Sequence, residues 1–177
     1  KKNYEILIID DASKDKTFDT AIHWAKKNKN IKIKILKNPK NLGYGGNQKV
    51  GFNYAIKNNF SNLVLLHGDG QYAPEIVIDL VEHHIKNLNK LTLGSRMIKK
   101  TNALKGRMPI YKFIGNIILT FLQNIILSSN LSEFHTGYRV YNVEKLKKTN
   151  FHLNTNDYHF DTQTIIQFLM NNFKVGE

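Results

Sequence analysis

The 177 residues, 41% of them hydrophobic, are enough for one domain with a sizeable core, and no apolar run reaches the length of about 18 that a membrane span requires. The absence of cysteine excludes disulfides, thiolate catalysis and Cys-based zinc sites, and it fits a reducing compartment. With 26 Lys and Arg against 14 Asp and Glu the net charge is +12, which suits anionic lipid or phosphorylated ligands; no recognition-helix, zinc or RNP-like motif points to nucleic acid.

Along the chain, "YEILIID" is a short β-branched run ending in acids, and Phe18, Ala21, Ile22 and Ala25 then recur at helical spacing. "IKIKIL" alternates Ile31, Ile33 and Ile35 with Lys32 and Lys34, the pattern of a strand with one wet face. The glycine-rich "NPKNLGYGG" follows, then a helix predicted over roughly residues 46–59. "NLVLLH" has the continuous apolar character of a strand buried on both faces, and "APEIVIDLVEHHIKNL" reads as a helix with Pro74 near its first turn. "LTLGSR" reads as a further strand end. No repeat or low-complexity linker divides the chain, so residues 1–177 are expected to form a single domain.

Beyond Arg107, "FIGNIILTFLQNII" places apolar pairs at 113/114, 117/118, 121/122 and 125/126 and leaves Asn116, Thr120, Gln123 and Asn124 off the stripe. Such a helix fits either packing on the core or a peripheral membrane contact through residues 109–129, beside Lys105, Arg107 and Lys112. A last helix is predicted from near Phe160. Strands alternating with helices imply an α/β layer with a mainly parallel sheet, whose ligands bind beyond the carboxyl ends of the strands.

Three motifs occupy such ends: "IIDDAS", "HGDGQ" and "GSR". Ser13 or Asp15 can cap the next helix, whereas of the adjacent Asp10 and Asp11 one is expected to meet ligand, because alternate strand side chains point in opposite directions. Asp69, between Gly68 and Gly70, can hold Mg²⁺ or Mn²⁺, with Gln71 offering a neutral oxygen two residues on. Arg96, Arg107 and Arg139 stand out in a lysine-rich chain and suit bidentate phosphate recognition. The histidines, including His83 and His84 on the polar part of a predicted helix, show no paired zinc spacing and read as non-ligands.

Taken in order, "EILIIDDASKDKT", "NLGYGGNQKVGFNYA", "LLHGDGQYAPE", "LGSRM" and "EFHTGYRVYN" resemble a family 2 glycosyltransferase with the GT-A fold, in the branch of dolichyl- or polyprenyl-phosphate sugar synthases. The resemblance implies that Asp10, Asp11 and Ser13 face the nucleotide, and that "NLGYGGN", with Asn41, Gly43 and Gly45, lines the donor pocket. It further implies that Asp69 and Gln71 serve the metal, that Arg96 and Arg107 bind the acceptor phosphate, and that Arg139 borders the sugar and acceptor. The implied reaction is inverting transfer from a UDP- or GDP-sugar to a polyprenyl or dolichyl phosphate, at the cytoplasmic face of a membrane. Two alternatives are transfer to a saccharide hydroxyl, for which Glu133 or Asp161 would be the base, and a non-catalytic sugar-nucleotide-binding relic. Two departures from the family pattern stand out. His67 occupies the place of the metal motif's first acid, and the chain is expected to lack the family's first strand and to be a fragment at both ends.

Overall fold

A computed structural model describes residues 4–98 and 109–177. The expected α/β layering is present, with the strands in two sheets. β1 (Ile6–Asp10) pairs parallel with β2 (Ile33–Lys37), and α1 (Thr17–Lys27) crosses between them. Phe18, Ala21, Ile22 and Ala25 of α1 are half-buried, as their spacing predicts, and Lys32 and Lys34 face solvent.

The second sheet has the order β3-β5-β4-β6, formed by β3 (Asn62–Leu65), β4 (Leu91–Leu93), β5 (Arg139–Asn142) and β6 (Val175–Gly176). β5 runs antiparallel to both β3 and β4, while β4 and β6 are parallel. Thus β3, β4 and β6 share one direction, and the parallel expectation is modified by the single strand inserted between them. β3 is the edge of this sheet and its residues are only half-buried, not covered on both faces as predicted; the fully buried strand is β4.

The core lies where this sheet meets α2 (Gly43–Lys57) and α6 (Phe160–Met170). Phe52 of α2 and Phe160, Ile165 and Phe168 of α6 pack with Leu91, Leu93 and Tyr141 from the strands. α3 (Val77–Lys86), entered through a 3-10 turn at Pro74–Ile76, covers β4, and the one-turn α5 (Val143–Leu146) closes the corner after β5. α2 begins three residues before its predicted start, because Asp11 caps it from another strand end, a contact no local pattern reveals.

His84 corrects the sequence reading of α3. Instead of facing water it is 2% exposed, and its Nδ1 lies 2.8 Å from Thr92 Oγ1 on β4. Burial, aided by Lys90 and His83, pushes its pKa from 6.5 down to about 4. The unfolded chain therefore takes up this proton first as pH falls. Stability from this group should be full above about pH 6.5 and decline toward pH 4, by roughly 3 kcal/mol in all. Urea unfolding at pH 7 and pH 5 should show the decline, and a His84→Gln chain should lose that part of the slope.

α4 (Ile110–Leu127) overturns the simplest reading of its stripe. Ile118, Phe121, Leu122, Ile125 and Ile126 are 49–78% exposed, and the polar residues face the protein. Asn116 Nδ2 donates to Glu133 Oε1 at 3.0 Å and Thr120 Oγ1 to Asn116 Oδ1 at 3.0 Å. Asn124 both donates to the Leu131 carbonyl and accepts from the Leu131 amide. No helix among the described residues is long and apolar enough to cross a membrane.

Candidate functional site

The end of β1, the start of α2 and the segment before α6 enclose a cleft of about 420 Å³. Asp11, Asn41, Gly43, Tyr44, Asn156, Asp157 and Tyr158 line it. Asp11 builds its floor: Oδ1 accepts from Asn38 Nδ2 and the Leu42 amide, both at 2.8 Å, and Oδ2 accepts from the Gly43 amide at 3.0 Å. Asn41 reinforces this turn by donating to the Asp11 carbonyl and accepting from the Gly43 amide. A carboxylate at a helix N-terminus is favoured by the exposed amides there.

Asp10 points the other way and is 4% exposed. Its Oδ2 accepts from the Ser13 amide at 3.3 Å and lies 3.9 Å from Lys37 Nζ, while its buried Oδ1 has no hydrogen-bond partner. Of the two adjacent acids, Asp11 is bound into the loop and lines the cleft, while Asp10 is buried with one oxygen unpartnered. Ala12, directly after them, adopts φ +59°, a left-handed turn that redirects the chain at the strand end.

The glycines of "NLGYGG" meet protein. A Cβ at Gly43 would lie 2.6 Å from the Asn156 carbonyl oxygen, and one at Gly45 would lie 2.6 Å from both Phe160 Cβ and the Thr155 carbonyl oxygen. The Gly45 amide donates to the Asn156 carbonyl at 2.8 Å. These residues let the 155–160 segment lie against α2 and form the far wall of the cleft. Gly45→Ala should overpack that seam and cost about 1–3 kcal/mol, measurable by chemical denaturation.

At the end of β3 the "HGDGQ" turn is open. Asp69 is exposed, its Oδ1 accepting from the Gln71 amide at 3.0 Å, and Gly70 takes φ +74°. No atom lies within 4 Å of a Cβ built at Gly68 or Gly70. Asp69 Oδ2 and the exposed Gln71 side chain offer oxygen donors of the kind that Mg²⁺ or Mn²⁺ takes. Among the described residues no three His, Cys, Asp or Glu side chains gather as a preformed cage, and such ions are often held by one or two protein groups plus ligand oxygens.

Arg96 follows β4 with its guanidinium 5.3 Å from the centre of the Tyr72 ring, and its buried Nε has no partner. Its amide donates to Glu133 Oε2 at 3.3 Å. Glu133 is 1% exposed and fully engaged, with Asn116 on Oε1 and Ser95 on Oε2. Arg107 lies outside the described residues. Arg139, expected beside the ligand, is instead 0% exposed on β5. It donates from Nε to the Thr136 carbonyl, from NH1 to the Asp161 carbonyl and from NH2 to the Phe134 carbonyl, and NH2 lies 3.6 Å from Asp161 Oδ2. Burial opposes its charge, but Tyr141 and Asp161 hold its pKa above the ordinary value.

Sequence reasoning missed Tyr44, Gln48 and the 156–158 wall. Tyr44 donates to Asp161 Oδ2 at 2.7 Å and Gln48 Nε2 to Asp161 Oδ1 at 3.0 Å, and Tyr44 also meets His67 Nε2 at 2.9 Å. The polar-aromatic run "NDYHFD" at the predicted helix start is the available signal for the wall.

An α/β domain with a cleft floored by Asp11 at the end of β1, and an exposed acidic turn at the end of β3, fits the GT-A class of glycosyltransferases. The chain belongs to glycosyl transferase family 2, whose pattern matches residues 1–149. It is 27% identical to the UDP-N-acetylglucosamine–dolichyl-phosphate N-acetylglucosaminyltransferase of Methanococcus voltae, over 99% of this chain and 73% of that protein. The undecaprenyl-phosphate mannosyltransferase of Micrococcus luteus is 29% identical over 81% of this chain and 56% of its own length. The dolichol-phosphate mannosyltransferase of Pyrococcus furiosus is 33% identical over 55% and 26%.

Proposed function

We propose that this glycosyltransferase moves a sugar, with inversion, from a UDP- or GDP-sugar to a polyprenyl or dolichyl phosphate. The observation that carries the acceptor class is the state of the candidate bases. Glu133 and Asp161 both have their carboxylate oxygens occupied by protein donors, whereas Arg96 holds an unpaired buried Nε. A phosphate acceptor is already ionised near neutral pH and needs cations to position it more than a base to deprotonate it. The names of the relatives support the same class.

In this reading the nucleotide lies in the cleft beside Asp11, Asn41 and Gly43, and the buried Asp10 supports the turn behind it by accepting from the Ser13 amide. Asp69 and Gln71 would hold Mg²⁺ or Mn²⁺, which when bound offsets charge on the leaving diphosphate. Arg96, with Arg107, positions the acceptor; its phosphate oxygen attacks the anomeric carbon as the bond to the diphosphate breaks, and no proton is transferred. Arg139 serves by holding Asp161. The outward apolar face of α4 rests on the membrane that carries the lipid acceptor.

A panel of UDP- and GDP-sugars offered with undecaprenyl or dolichyl phosphate tests the proposal. The expected result is a lipid-linked sugar that disappears on chelation and in Asp69→Asn. Equal turnover with the unphosphorylated polyprenol would overturn the acceptor, and unchanged turnover in Asp69→Asn would overturn the metal role.

A further inference from the structure

Tyr72 directly follows Gln71, yet unlike the open turn before it this side chain is 7% exposed. Its hydroxyl accepts from the Gly137 amide at 2.7 Å, and its ring packs edge-on to His67, at 5.3 Å between centroids, and tilted against Tyr138 at 5.6 Å. These contacts fix the plane of the ring. The Arg96 guanidinium lies over that ring, 5.3 Å from its centre. Backbone contacts bring the end of β4 to this place: the Gly94 amide donates to the Tyr138 carbonyl at 2.8 Å, a Cβ at Gly94 would lie 3.1 Å from the Tyr138 side chain, and the Arg96 amide donates to Glu133. Among the described residues nothing accepts a hydrogen bond from the guanidinium, so the contact that orients it is the ring.

We infer that Tyr72 is a positioning residue for the acceptor phosphate: its ring holds the Arg96 guanidinium in place and leaves the terminal N–H donors for phosphate oxygens. An aromatic ring attracts a guanidinium through its negative face. A carboxylate in the same place would orient the side chain as well, but it would take up N–H donors and offset the positive charge. The ring does neither. Because Tyr72 is carried by the same turn as Asp69, it also ties the arginine assigned to the acceptor to the turn assigned to the metal. The inference rests on the acceptor role proposed for Arg96 and adds the residue that orients it.

Calorimetric binding of farnesyl phosphate to the whole chain tests this without donor, metal or turnover. Tyr72→Leu should weaken binding about 3–10-fold. Tyr72→Phe keeps the ring and should keep the affinity, although the loss of the oxygen that the Gly137 amide uses should lower its melting temperature. In an Arg96→Ala chain, itself a weaker binder than the parent, Tyr72→Leu should cause no further loss. Fluorinated phenylalanines at position 72 keep the shape of the ring and drain negative charge from its face, so affinity should fall stepwise with the number of fluorine atoms; this series decides the question if the leucine chain does not fold. A flat series overturns the inference alone, as does a Tyr72→Leu loss that persists in full beside Arg96→Ala, or a Tyr72→Phe loss as large as that of Tyr72→Leu. Farnesyl phosphate that binds Arg96→Ala as well as the parent, or binds neither, overturns the acceptor reading and this inference with it.

Discussion

Asp161→Ala is expected to cost about 3–5 kcal/mol of folding stability, the largest loss from any single polar substitution in this domain. Arg139 is 0% exposed, and Asp161 is the acid paired with it at 3.6 Å. Removing the carboxylate leaves a buried guanidinium with carbonyl partners but no counter-charge, and it strips Tyr44 and Gln48 of their acceptor. For a chain of this size that loss corresponds to a fall in melting temperature of about 10 °C. Arg139→Met combined with Asp161→Ala should recover part of it, because a missing ion pair is less costly than a broken one. A single Asp161→Ala chain that melts within a degree or two of the parent would show that the pair does not organise the core.

The consequence extends from stability to the site. Asp161 links α6 to α2 through Tyr44 and Gln48, and the same α2 start forms one side of the cleft with Asp11 and Gly43. The segment that leads into α6, Asn156 to Tyr158, forms the opposite wall. Asp161 thereby ties together the two elements that wall the cleft, and if the nucleotide lies there as proposed, Asp161 variants should lose nucleotide affinity even at temperatures where they are folded.

How much of this is legible in the sequence depends on range. Ile31, Ile33 and Ile35, and the Phe18–Ala25 stripe, announce β2 and α1 because the period of burial is written locally. The motifs at the ends of β1, β3 and β4 are legible for the same reason, as abrupt changes from apolar to polar residues. The antiparallel place of β5 is not, since pairing between Leu63 and Tyr141 joins segments far apart in sequence. Tyr44 and Asp161 are separated by 117 positions, so neither neighbourhood hints at the other. Arg139 illustrates a different limit: "TGYRVY" shows a cation on a short strand, and only the packing of Phe134, Thr136 and Asp161 around it determines that it lies inside. The glycines of "NLGYGG" suggest a loop shaped for ligand, but their small size is required by the backbone of residues 155 and 156. In α4 the apolar period holds and the orientation is reversed, because the spacing of apolar residues gives the angle of a face and not what lies opposite it.

That reversed orientation yields the second large effect. Phe121 and Ile125 are 63% and 61% exposed, on the face turned away from Asn116 and Asn124. Burying side chains of this size in an apolar phase is worth about 1.5–3 kcal/mol each, so Phe121→Ser with Ile125→Ser should weaken sedimentation with anionic lipid vesicles by about 100-fold or more. The melting temperature should not fall, since both side chains lie mostly in water in the free chain. Asn116→Ala should do the reverse: vesicle binding retained, but stability lowered by about 1–3 kcal/mol as Glu133 loses a buried donor. If the Phe121/Ile125 variant bound vesicles as well as the parent, lipid would not be what this face meets. A helix whose polar side holds the acid beside Arg96 and whose apolar side enters lipid would set the depth at which a lipid-borne phosphate reaches that arginine. The two classes of substitution therefore separate docking from catalysis, the first raising the KM for acceptor in vesicles and the second acting through the support of Arg96.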